Sequence, residues 1–124
     1  MKTVLIADDK ATGRELVRTV LERSGFTVIE ATNGREAVRC ARESNPDLII
    51  LDLHMPELDG FGAIEELRRD PRFVSTPVMA LTASAMQGDR ERAMSVGFTG
   101  YITKPIRLDA LRGEVERLLK VSNS

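Results

Sequence analysis

The sequence predicts an α/β fold in which five strand–helix units surround a parallel sheet. Three features predict it: short β-branched apolar runs alternate with longer segments of helical period, turn residues punctuate the junctions, and one run is apolar throughout. At 124 residues the chain has room for one domain with a real core. That domain is expected over residues 1–121, with 122–124 as a frayed tail.

Thr3-Val4-Leu5-Ile6-Ala7 reads as the first strand. The helix after it carries Leu16, Val17, Val20 and Leu21 on one face and stops at Ser24-Gly25. Thr27 to Ala31 is the second strand. Thr32-Asn33-Gly34 then turns the chain into a helix with Ala37, Val38 and Ala41 inward, ended by Asn45-Pro46 because a residue before proline avoids the helical region. Asp47 to Leu51 is the third strand, and its unbroken apolar run implies cover on both faces. A polar loop from Asp52 to Gly60 leads into a helix with Ile64 and Leu67 inward and a break at Asp70-Pro71. Val78 to Thr82 is the fourth strand. A helix around Asp89 to Val96 closes at Gly97, Gly100 to Thr103 is a short fifth strand, and a last helix from about Leu108 to Lys120 carries Leu108, Leu111, Val115, Leu118 and Leu119 as its apolar stripe.

Composition narrows the function. With 18 basic and 19 acidic residues the net charge is -1, so the chain lacks the basic excess that direct nucleic-acid binding needs. The single cysteine, Cys40, has no disulfide partner and sits in a helical stretch, as expected of a reducing compartment. The charges at Asp8-Asp9 interrupt any signal-peptide core, and no run reaches membrane-spanning length. A cytoplasmic domain without membrane insertion is expected.

In an open parallel sheet, ligands bind beyond the carboxyl ends of the strands. Those ends are Asp8-Asp9, Asp52, Thr82 and Lys104. Three carboxylates gathered together repel one another, and Lys104 supplies only one balancing cation. An all-oxygen site of this charge suits Mg²⁺, with Mn²⁺ as an alternative. A carboxylate beside such an ion can be the nucleophile in phosphoryl transfer, and Asp52, at the end of the most buried strand, is the candidate.

These residues carry a family resemblance. Asp8-Asp9, Asp52 with Met55-Pro56 and Asp59-Gly60, Thr82-Ala83 and Lys104-Pro105 resemble the signature of response-regulator receiver domains of two-component signalling, over the whole chain. The resemblance implies a flavodoxin-like (βα)5 three-layer sandwich, and it supplies the strand order that periodicity does not. It implies that Asp52 takes a phosphoryl group from the phosphohistidine of a sensor histidine kinase or histidine phosphotransfer protein. Asp9 and Asp52 would ligate Mg²⁺ directly, Asp8 mainly through water, and the backbone carbonyl of His54 would complete the set. Lys104, the Thr82 hydroxyl and the Ala83 N–H would bind the phosphoryl oxygens. The side chains of His54 and Ser84 would flank the site and influence how water reaches the acyl phosphate. Thr82 and Tyr101 would form the switch, reporting to a downstream protein through the fourth helix, fifth strand and fifth helix. The Lys104-Pro105 bond would be cis.

Such a domain is a phosphoacceptor switch rather than a turnover enzyme. An aspartyl-nucleophile phosphatase would need a second acid–base aspartate and a cap that no segment supplies. A flavodoxin-like cofactor carrier would want Gly, Ser and Thr amides where Asp8-Asp9 stands. A receiver-like module that no longer accepts phosphate would lack some motif position, and all are filled. The motifs are similar both to stand-alone cell-cycle and differentiation regulators and to the receivers of hybrid sensor kinases, and do not separate them.

Overall fold

In the computed structural model, which describes residues 2–83 and 89–122, the chain alternates strand and helix throughout. The elements are β1 (Thr3–Ala7), α1 (Ala11–Arg23), β2 (Thr27–Ala31), α2 (Gly34–Ser44), β3 (Leu48–Asp52), α3 (Gly60–Arg69), β4 (Val78–Thr82), α4 (Asp89–Ser95), β5 (Gly100–Thr103) and α5 (Leu108–Ser122). The five strands form one sheet in the order β2-β1-β3-β4-β5, with every neighbouring pair parallel. The order reverses between β1 and β3. That switch point opens a crevice at the carboxyl ends of the two central strands.

Alternating side chains along each strand divide the core into two layers. Leu5, Ala7, Ile49, Leu51, Val78 and Ala80 face α2 and α3, packing with Val38, Ile64 and Leu67. Val4, Ile6, Leu48, Ile50, Met79 and Leu81 face α1 and α5, packing with Val17, Leu21, Leu111 and Val115. Helices on both faces of the sheet make the three-layer sandwich. Among the described residues, no helix is long and apolar enough to cross a membrane.

The punctuation works as local chemistry dictates. At the end of α1 the Phe26 N–H donates to the Leu21 carbonyl and the Gly25 N–H to that of Glu22, with Gly25 at φ 95°, a left-handed cap that favours glycine. Gly97 (φ 115°) closes α4 the same way, through Phe98 to Ala93 and Gly97 to Met94. Asn45, before Pro46, leaves the helical region for the left-handed one.

Some expectations are corrected. Leu16 is 39% exposed rather than core, because its part of α1 overhangs the crevice instead of the sheet. Leu108 is 41% exposed, as the first residue of α5, ahead of the turns that meet the sheet. The third strand is shifted by one residue. Asp47 stays outside it, its carboxylate accepting the Thr3 N–H at 2.8 Å, while Asp52 pairs with Leu81 inside the sheet. A 3-10 turn, Pro71–Phe73, follows the expected break and buries Phe73 completely. Helix α4 ends at Ser95 rather than Val96, and α5 runs to Ser122, past the expected end near Lys120. Ser84 and the rest of the 84–88 stretch, like residues 123–124, lie outside the described residues.

Candidate functional site

Parallel register brings the carboxyl ends of β1, β3, β4 and β5 to one edge of the sheet, with Ala7 beside Leu51, Asp52 beside Leu81 and Thr82 beside Thr103. A cleft of about 550 Å³ opens there. Asp9, Asp52, His54, Ala83 and Lys104 line it, together with Lys10, Thr12, Gly13, Leu16, Pro105 and Ile106.

Asp52 lies at its floor, 4% exposed. One carboxylate oxygen accepts the Lys104 Nζ at 2.7 Å, and the other accepts the His54 backbone N–H at 2.9 Å. The loop after β3 folds tightly because α3 starts directly against it. The Asp59 side chain caps α3 by accepting the Gly62 N–H at 2.8 Å. A Cβ on Gly60 would come within 2.5 Å of the Asp52 carbonyl oxygen, so only glycine fits there.

Asp8 is fully buried beside Asp52. It accepts the Lys10 N–H at 3.0 Å and the Lys104 Nζ at 3.0 Å. Asp9 is exposed on the cleft wall. Carboxylate oxygens of Asp8, Asp9 and Asp52 fall within 4.8 Å of one another. Burial pushes the Asp52 carboxyl above its ordinary range against the pull of Lys104 and the His54 N–H, and the neighbouring Asp8 adds to the rise. Burial works against the Lys104 ammonium, yet its hydrogen bonds to Asp52 and Asp8 outweigh this and hold its pKa above the usual value. Three carboxylates around one ammonium leave negative charge over, in an all-oxygen donor set that fits a hard divalent cation.

Asp8, Asp9, Asp52 and Lys104 are thus brought together as expected from the strand ends. Thr82 is buried at the end of β4, and Ala83 is exposed at the cleft. Tyr101 is half-buried against the core layer that faces α2 and α3. His54 is exposed at the rim, and the Lys104-Pro105 bond is cis. Sequence reasoning missed Lys10, Thr12, Gly13 and Ile106 as cleft walls, although each lies close in sequence to Asp9 or Lys104.

Comparison with known proteins places this geometry among relatives. Residues 4–116 match the family model described as the response regulator receiver domain. The polar-differentiation response regulator DivK of Brucella anthropi is 42% identical over 105 residues, 85% of each chain. The signal receiver domain of a histidine kinase from Syntrophus aciditrophicus superposes with a TM-score of 0.89 at 36% identity, covering 98% of this chain and 92% of that one. The receiver domain of the sensor histidine kinase PA1611 from Pseudomonas aeruginosa, whose crystal structure has a magnesium ion coordinated in the active-site cleft, superposes with a TM-score of 0.89 at 31% identity over 96% of this chain and 98% of its own.

Proposed function

The chain belongs to the response regulator receiver domain family of two-component signalling, and from that premise we propose that it is switched by Mg²⁺-dependent transfer of a phosphoryl group onto Asp52. One observation carries the proposal: Asp52 is buried at the end of a central strand, 2.7 Å from the Lys104 ammonium, with two further carboxylates within 4.8 Å.

Asp8, Asp9, Asp52 and the His54 backbone carbonyl would hold Mg²⁺, and Mn²⁺ suits the same oxygen donors. The ion supplies charge neutralisation for a reaction whose catalysis is mainly positioning and electrostatics. An Asp52 carboxylate oxygen attacks the phosphorus of a partner's phosphohistidine; the P–N bond breaks and the imidazole leaves with the electron pair and takes up a proton. The product is an acyl phosphate on Asp52. Lys104 exchanges its hydrogen bond with the Asp52 carboxylate for one to the phosphoryl group. The Thr82 hydroxyl and the Ala83 N–H take the other oxygens. Water later hydrolyses the anhydride in a reaction the domain itself supports, at a rate influenced by the His54 side chain at the rim.

Movement of Thr82 toward the phosphoryl group would draw Tyr101 inward and change the face formed by α4, β5 and α5, where a downstream protein binds. The phosphodonor is a sensor histidine kinase or a histidine phosphotransfer protein, encountered in the cytoplasm. Residues 1–121 make up the phosphoacceptor domain.

The test uses acetyl phosphate as a small phosphodonor. Wild type with Mg²⁺ gains one phosphoryl group by intact mass, and neither the EDTA-treated protein nor Asp52→Asn does. Labelling that persists in Asp52→Asn or in EDTA would overturn the proposal. Beryllofluoride with Mg²⁺ should also shift amide resonances along β5 around Tyr101, and unchanged resonances there would refute the switch.

A further inference from the structure

Asp8 and Asp9 stand on adjacent residues, so where the Asp9 carboxylate can reach depends on how the peptide between them is turned. That peptide is held from behind the cleft. The Arg14 guanidinium donates to its carbonyl, that of Asp8, at 2.7 Å, and the peptide before it is pinned to β2 by the Asp8 N–H, which donates to the Ala31 carbonyl at 3.2 Å. Arg14 is itself fixed by Glu30 on β2, Nε to Oε1 at 3.0 Å, and Arg18 binds the other Glu30 oxygen at 2.6 Å. The Arg14 side chain is only 16% exposed and is not among the residues that line the cleft. Gly13 completes the seat, since a Cβ there would come within 2.5 Å of an Asp8 carboxylate oxygen.

We propose that Arg14, anchored by Glu30, is a positioning residue that sets the Asp8–Asp9 carboxylate pair for the divalent cation. The inference rests on the metal reading of the site. A planar guanidinium suits the task because it engages a carbonyl and a carboxylate at once, in fixed directions. A group of this kind acts on the metal ligands as their outer hydrogen-bond partners do elsewhere, typically changing affinity by 10- to 100-fold.

Charge alone would split the two variants. Removing the Arg14 cation would make the site more negative and tighten metal binding, whereas removing the Glu30 anion would weaken it. Positioning predicts that both losses weaken it.

The experiment is a MgCl2 titration of the metal-free protein, followed by amide resonances, for wild type, Arg14→Met, Arg14→Lys and Glu30→Gln, with dispersed spectra in EDTA as the folding control. Arg14→Met and Glu30→Gln should each weaken Mg²⁺ by about tenfold. Arg14→Lys, which offers a point charge instead of a fork, should fall between and keeps the test open if the methionine variant unfolds. At saturating Mg²⁺ the acetyl phosphate reaction should return to within about twofold of wild type, because an interaction felt only in metal binding leaves the loaded rate unchanged. Affinities that are unchanged, or that move in opposite directions in the two variants, overturn the proposal. A wild-type protein that binds no Mg²⁺ overturns the metal reading beneath it as well.

Discussion

Asp52 occupies a position that works against folding while it serves chemistry. Burial raises its pKa, so the stability linked to its protonated form is complete below the unfolded value of about 3.8 and lost as pH rises through the folded value. Above that range the folded protein carries a buried anion at a cost. Asp52→Asn should therefore stabilise the metal-free protein at pH 7.5 by on the order of 1 kcal/mol, the usual exchange of function for stability at such sites. Thermal melts in EDTA check this: the gain should shrink toward pH 4, and a lower melting temperature at pH 7.5 would contradict it. Lys104→Met has the opposite sign, because it leaves the buried Asp8 and Asp52 carboxylates without their shared ammonium. It should cost roughly 2 kcal/mol under the same conditions. The acids and the lysine were legible in the sequence because strand ends can be counted. The hydrogen bond from the His54 N–H to Asp52 was not, since it depends on how tightly the loop folds back.

At the scale of elements, two glycines separate strain in the chain from strain in the site. Gly25 ends α1 at φ 95° with nothing within 4 Å of the place a methyl group would take, whereas Gly60 starts α3 in direct contact with the Asp52 backbone. Gly25→Ala should cost about 1 kcal/mol through its backbone alone and leave acetyl phosphate labelling unchanged. Gly60→Ala should cost about 2 kcal/mol by overpacking and also slow labelling, because α3 must move away from the β3 loop. Equal labelling rates in the two variants, measured on folded protein, would show that the α3 start does not position Asp52. Both glycines were visible as turn signals, but periodicity could not distinguish their roles. The same limit explains Leu16 and Leu108: a helical stripe identifies one face of a helix, and only the assembled sheet decides how much of that face is covered. Phe73 escaped notice because a three-residue turn has no period to read.

For the whole molecule, the alternation of strands and helices was enough to give a parallel sheet of strand–helix units, while the order β2-β1-β3-β4-β5 came only with the family resemblance, since crossover direction leaves no mark on the apolar pattern. That order makes the site a junction of the entire fold. Asp8 directly follows β1, Asp52 and Thr82 end β3 and β4, Lys104 directly follows β5, and all are held by the same sheet. A cation binding there can bind only the folded chain, because the unfolded chain does not bring these residues together. Mg²⁺ should therefore raise the melting temperature along the linkage curve, reaching about 2.7 kcal/mol of added stability at a concentration a hundredfold above its dissociation constant. Removing the metal with EDTA should reverse the gain completely, and NaCl at matched ionic strength should not reproduce it, since screening acts on exposed charges more than on a buried cluster. In Asp52→Asn, which has one anionic ligand fewer, the curve should shift to higher Mg²⁺. A melting temperature that follows ionic strength alone, with no separate response to Mg²⁺, would show that the carboxylate cluster is balanced by Lys104 and solvent and holds no ion.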